Sequence, residues 1–220
     1  GVAAEATLPE QLIGTSQQFL EQAVSDYLTQ SEIQARHEIE VQQLDPRIRL
    51  PVCDQDLNVS LESPEQPVGR VTLKVRCTGS NPWSIFVPAQ VHIYRQVLLA
   101  SRPLKRASIL SAADLKLTER DIGSLNRGYL TSIEQATGKK LARQLLMDQV
   151  LVPAYLKQAE VISKGDHVVI TARSGGISVR MNGEALSNGG LGEQILIRNL
   201  ASGRTIRVRV TGPGQVEAAM

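Results

Sequence analysis

Residues Val97 to Ile162 read VLLASRPLKRASILSAADLKLTERDIGSLNRGYLTSIEQATGKKLARQLLMDQVLVPAYLKQAEVI, and this stretch decides the fold class. A short apolar strand, Val97 to Leu99, meets a Pro-Leu pair at Pro103 and Leu104. Ile109-Leu110 leads into Ser111-Ala-Ala-Asp114-Leu115. A second short helix is expected near Ser132 to Thr137, stopped by Gly138, since glycine commonly ends a helix. Leu145 to Leu156 is again apolar and is interrupted by Pro153. The pattern is short strands and single-turn helices in dense alternation, with no long element.

On the N-terminal side, Leu12, Phe19, Leu20, Ala23, Val24, Tyr27 and Leu28 recur at three- and four-residue steps. That spacing predicts an amphipathic helix over residues 8–30 whose stripe packs a core. Gly14 weakens its first turn, so the helix is expected to begin near Thr15 or Ser16, both good N-caps. The polar face lacks Lys and Arg, which disfavours an anionic lipid surface. Alternating runs then predict strands at Glu38–Gln43, Leu57–Leu61 and Val71–Cys77, with Trp83–Arg95 forming one or two more. Residues 1–96 therefore read as one helix on a small antiparallel sheet.

On the C-terminal side, residues 161–220 are all-β in pattern. Strands are expected at His167–Ala172, Ile177–Met181, Gln194–Arg198 and Arg204–Thr211. Asn182-Gly183 carries a type I′ hairpin signal, and Gly189-Gly-Leu-Gly192 reads as a turn. Short strands at regular spacing predict a small barrel or sandwich. No internal repeat is evident.

The 220 residues suffice for one large or two to three small domains. Aromatic content is 3%, too low for a stacked sugar-binding face or a single-strand nucleic-acid platform. The net charge of +2 is unevenly spread. Residues 1–96 carry −5, 97–160 carry +4 and 161–220 carry +3. This supports a boundary near 96, though solvated faces that simply differ would give the same tally. No apolar run approaches the ~20 residues that span a bilayer. The Gly1-Val-Ala-Ala-Glu-Ala start reads as a mature or trimmed product with a signal peptide removed.

Cys53 and Cys77 lie 24 residues apart in strand-like segments of one region. A disulfide between them would contribute about 3 to 3.5 kcal/mol in the loop-entropy model and would imply an oxidising compartment. Two buried free thiols are the other reading. Two cysteines alone fall short of the four ligands zinc usually takes.

Candidate chemistry is sparse. His37, His92 and His167 stand in separate segments without ligand spacing, and no Gly-x-Ser-x-Gly elbow occurs. Asp54 and Asp56 read as a charged loop rim. No catalytic, metal or cofactor site is expected, and the chain is read as not an enzyme. Lys139, Lys140 and Arg143 sit near the end of the expected short helix, where they either complement its C-terminus or meet an anionic partner. Arg207 and Arg209 share one face of a strand, but without aromatics this is a poor nucleic-acid surface.

The Pro-Leu, Ile-Leu-Ser-x-x-Asp-Leu and Thr-Gly-(x)4-Arg words resemble the SAF domain, a small β-clip module. The last third adds Lys164-Gly165-Asp166, Asn182-Gly183-Glu184-Ala185-Leu186, Gly189-Gly190-Leu191-Gly192 and Asn199-Leu-Ala-Ser202-Gly203. Together these are similar to the family of periplasmic chaperones that assist assembly of the flagellar P-ring. The chain departs from that family at Met147-Asp148-Gln149-Val150-Leu151, where Asp148 stands for the usual Gly and Val150 for the usual Pro.

The resemblance implies an α+β, mostly β protein in three parts. These are an N-terminal α+β domain (1–96) with the disulfide, a central SAF domain (97–160) and a barrel-like all-β domain (161–220). It implies a non-enzymatic assembly chaperone in the periplasm with no cofactor and no membrane span. Its partner would be the P-ring subunit, with rod proteins as further partners. Pro103, Leu104, Lys139, Lys140, Arg143, Arg207 and Arg209 are the candidates for partner contact. The alternatives are a carbohydrate or cell-wall binding module of SAF type and a pilus-assembly protein.

Overall fold

The computed structural model describes residues 6–219; the start read as a trimmed end lies outside them. The chain divides into two compact units. One runs up to Val97 and includes Thr118–Tyr129; the other comprises Leu98–Leu117 and the chain from Leu130 onward. The boundary written from the sequence at 96 therefore differs in assigning residues 118–129. Ile122 of that segment packs on the first core.

The first unit opens with β1 (Ala6–Thr7) and α1 (Pro9–Gln30). The helix begins earlier than its glycine suggested. Leu8 is the N-cap and Pro9 the first helical residue, where a missing N–H costs nothing. Gly14 has open space around it. Packing of the row Leu12, Leu20, Val24 and Leu28 (all 8% exposed or less) holds this turn helical despite it. Ser16, expected as a cap, instead fills the fourth-residue step between Leu12 and Leu20 and is fully buried.

The sheet beneath the helix consists of β2 (Arg36–Val41), β4 (Asn58–Ser63), β5 (Gly69–Cys77) and β6 (Trp83–Ala100), in the order β2-β6-β5-β4. The short β3 (Leu50–Pro51) pairs with β1, and β7 (Leu115–Asp121) adds to β6. Val71, Leu73 and Val75 of β5 and Val87, Val91 and Ile93 of β6 form the floor of this core. The sequence suggested a break between Arg95 and Val97. The structure has one 18-residue strand there. Its alternating burial gives way at Val97-Leu98-Leu99-Ala100 to four consecutive buried residues, as expected where a strand is covered on both faces.

The second unit holds β8 (Lys140–Leu141), β9 (Leu156–Lys157), β10 (Glu160–Ile162), β11 (His167–Ser174), β12 (Ile177–Ala185), β13 (Gly189–Gly190), β14 (Gln194–Asn199), β15 (Thr205–Gly212) and β16 (Gln215–Ala219). It has two apolar clusters. Leu98, Leu104, Leu110, Leu115, Leu141, Leu145 and Leu151 make one. Ile162, Val168, Ile170, Ile195, Ile197, Val208, Val210 and Val216 make the other, inside a closed barrel of β11-β12-β14-β15-β16.

Two glycine readings change in the second unit. Asn182-Gly183 is not a turn, because β12 runs straight through it. A Cβ on Gly183 would lie 2.5 Å from Ile197 Cγ2 and 2.8 Å from Ile170 Cδ1. Glycine is there so that two strands can close over the core. The β11–β12 hairpin turns at Gly175-Gly176 instead, with Gly175 at φ +58°. Gly189-Gly190 likewise forms a short strand paired with β10, and a Cβ on Gly189 would press on Ile195 and Val210.

The structure also contains a repeat that was not evident in the sequence. Residues 101–115 and 142–156 follow the same path with the same hydrogen bonds. Leu104 and Leu145 exchange two backbone bonds of 2.9 Å. Ala107 N–H donates to Leu141 O and Asp148 N–H to Ala100 O, both at 2.9 Å. Ser101 N–H donates to Asp114 O and Ala142 N–H to Tyr155 O, both at 2.8 Å. Ala107 and Asp148 both have positive φ, +71° and +68°. Asp148 therefore keeps the left-handed turn that the usual glycine would supply, which Asp tolerates better than most residues.

Candidate functional site

Each residue singled out from the sequence has a definite place. Cys53 and Cys77 are joined in a disulfide, with Cα atoms 5.7 Å apart. It ties the loop after β3 to the end of β5. Asp54 in that loop accepts hydrogen bonds from the Ser80 hydroxyl and, at 3.1 Å, from Ser80 N–H. The hydroxyl bond, then the backbone bond, hold its carboxyl below the ordinary value. Asp54 thus braces a turn, and Asp56 stands beside it in the same loop.

Pro103 is exposed, but Leu104 is 6% exposed and belongs to the core of the repeat. Its side chain is taken up in folding and does not offer a contact surface. Lys139, Lys140 and Arg143 lie beyond the end of the short helix, at Gln135. Lys140 lies in β8 with its ammonium 3.9 Å from Glu160. Arg143 sits over the Tyr155 ring, 4.8 Å from its centroid. Arg207 and Arg209 do share the outward face of β15, flanking buried Val208. Arg209 stands opposite Gln194 on one side and Glu217 on the other.

A cluster of titratable groups lies in the first unit. His92 Nδ1 is 2.7 Å from Asp121 Oδ2, and its Nε2 is 3.7 Å from Glu40. The Asp121 hydrogen bond raises the imidazole above its ordinary 6.5, against the effect of burial. Burial pushes Asp121 up, but hydrogen bonds from His92 and from Gly123 N–H outweigh it and hold the carboxyl low. Arg36 stacks on Tyr94 at 4.1 Å and bonds Glu38 and Glu119. Every polar group here is engaged with another, as in a structural network. His37 pairs with Glu21 at 2.8 Å. Among the described residues, no group of three His, Cys, Asp or Glu is arranged to hold a metal. No described helix is long and apolar enough to cross a membrane.

Two exposed apolar features escaped sequence reading. Leu146 and Met147, 69% and 56% exposed, form the tip of one repeat turn. Ile177 and Val179, 68% and 42% exposed, lie on β12 beyond its contact with β14. Alternation within β12 was visible in the sequence. Its emergence from the barrel was not, because that depends on where β14 stops.

The described residues form three apolar cores, and the buried Asp114 and the His92–Asp121 pair are held by structural hydrogen bonds. The profile of the family described as "Chaperone for flagella basal body P-ring formation" matches residues 95–218, and that of the "FlgA N-terminal domain" matches residues 20–93. The chain belongs to this family of flagellar P-ring formation chaperones.

It is 28% identical over 171 residues to the flagella basal body P-ring formation protein FlgA of Yersinia enterocolitica, covering 78% of this chain and 74% of that one. It is 25% identical to the protein of the same name from Escherichia coli over 167 residues, 76% and 74% of the two chains. The crystal structure of Salmonella FlgA in open form has the same fold, with a TM-score of 0.66 at 18% identity over 91% of this chain and 92% of that one.

Proposed function

We propose that this chain binds the flagellar P-ring subunit in the periplasm and holds it for ring formation around the rod, without transforming a substrate. The observation that carries this reading is the family match over both parts of the chain. The Cys53–Cys77 bond supports the compartment, since structural disulfides persist where the environment is oxidising. Commitment of the buried Asp114 and of the His92–Asp121 pair to structural bonds supports a binding role over catalysis. Ring subunits must hide their assembly edges until the ring closes, and a β-rich partner can cover such an edge.

Among the residues selected from the sequence, the exposed Pro103, Arg143, Arg207 and Arg209 and the half-buried Lys139 and Lys140 are the ones this reading keeps for partner contact. It further treats residues 97–160 and 161–220 as separate working modules with separate apolar cores. The test is direct. The purified chain should bind the purified P-ring subunit in calorimetry, and cells lacking it should build rods without P-rings. Rods that carry a normal number of P-rings in such cells would reject the reading.

A further inference from the structure

The barrel pairs β12 along its full length on one side only. β11 runs beside it from Ser174↔Ile177 to His167↔Glu184. On the other side β14 reaches only Gly183 to Ala185, with one more bond from Leu200 N–H to Asn182 O at 3.0 Å. From Ile177 to Met181, no strand among the described residues lies along the outer edge of β12.

The hairpin sets the phase of that edge. A two-residue turn makes Ser174↔Ile177 a hydrogen-bonded pair, so Ile177, Val179 and Met181 direct their N–H and C=O groups at β11. The backbone groups of Ser178 and Arg180 then point outward. They are in phase with Asn182, whose carbonyl accepts from Leu200.

The side chains on the two faces of this edge differ sharply. Val179 stands opposite Ala172 and Met181 opposite Ile170. Ala172 and Ile170 are 3% and 0% exposed. The same apolar face continues to Val179 and Ile177, which are uncovered. On the other face are Arg180 and, opposite Ser178, Arg173, both exposed. Glu217 joins that face on β16, opposite Thr171.

We infer that the Ile177–Met181 edge takes up an extended segment of the P-ring subunit as one more strand of the sheet. The segment alternates apolar and acidic residues. Its apolar side chains cover Ile177 and Val179, and its acids meet Arg173 and Arg180. Main-chain bonds to Ser178 and Arg180 supply attachment, and the two faces supply selection. A second copy of this chain is a poor occupant. Edge-to-edge pairing would bring Arg173 and Arg180 of both copies together on one face, where like charges repel. The inference rests on the proposed subunit binding and adds where, and by what chemistry, the subunit is held.

Ser178→Pro tests it. Proline removes an outward N–H and is tolerated on an edge, whereas Ser178→Ala keeps the backbone donor. Ser178→Pro should weaken subunit binding about tenfold or more with an unchanged circular dichroism spectrum, and Ser178→Ala should bind like the parent. On the unaltered protein, the subunit should slow amide exchange at Ser178 and Arg180. If Ser178→Pro fails to fold, that exchange measurement decides alone. Parent-like affinity in a folded Ser178→Pro, or unprotected Ser178 and Arg180 amides, overturns the edge inference and leaves subunit binding intact. Self-association abolished by Ser178→Pro, with subunit affinity unchanged, assigns the edge to a second copy and also overturns it. No binding by the parent overturns both readings.

Discussion

Residues 101–115 and 142–156 share a backbone and differ in chemistry. Both are centred on the reciprocal Leu104–Leu145 bonds, both turn through a left-handed residue, and both end in a single-turn 3-10 helix, Ala112–Asp114 and Pro153–Tyr155. Even their clamps correspond. Arg102 is bonded to Asp114 at the first helix, with Nε to Oδ1 at 2.7 Å. Arg143, at the equivalent place, lies over Tyr155 at the second. An ion pair and a cation–π contact thus solve one problem, that of holding a short helix against the strand before it. The turn tips have diverged further. One presents Lys105 and Arg106, the other Leu146 and Met147. The shared part is what the core requires, and the tips are free to vary because they touch little of it.

The comparison is most exposed at its centre. Leu104→Ala and Leu145→Ala should each lower unfolding free energy by about 2–5 kcal/mol, and by similar amounts, in urea titrations. A much smaller loss for one of them would break the equivalence.

The clamps come next. Arg102→Ala leaves the buried Asp114 carboxylate with Ser111 as its remaining side-chain partner and should cost about 1–3 kcal/mol. Arg143→Ala should cost about 0.5–1 kcal/mol. Equal losses would mean that the two clamps are not distinguished by their chemistry.

At the left-handed positions, Ala107→Gly should stabilise the chain by about 1 kcal/mol. Asp148→Gly should gain less, since Asp tolerates that conformation and its ion pair with Lys116 is lost. Thermal melts would separate the two.

The pH response sharpens the contrast between the repeat and the first unit. The bond from Ser111 N–H, then that from Arg102, outweigh burial and hold Asp114 below its ordinary 3.8. Its contribution is present above that value and lost as pH falls through the lowered one. His92 is raised above 6.5. Its contribution is complete below 6.5 and lost as pH rises through the raised value. Asp114→Asn should flatten the acid side of the stability profile and His92→Asn the neutral-to-alkaline side, read as urea midpoints against pH.

Much of the architecture was legible. The four-residue row of α1, the alternation of β5 and the cysteine pair each follow from local spacing. The repeat was harder to see, because only Arg102/Arg143, Leu104/Leu145, Leu110/Leu151, Ala113/Ala154 and Leu115/Leu156 match between its halves. Ser16 and Asn182-Gly183 misled for one reason. Each carries a strong local signal that packing overrode, the first under a buried helix face and the second where two strands close on Ile170 and Ile197.

Taken alone, the order of residues determined the long helix and most of the longer strands, which faces are apolar, and the family words that run from Pro103 to Gly203. These depend on neighbours a few positions apart. Only the folded chain decided that Leu104 is core and not surface, that Arg143 is a clamp, and that β12 leaves one edge uncovered. Those facts depend on where distant strands begin and stop. Side-chain periodicity shows which face a residue takes, but only tertiary contacts show whether anything covers that face.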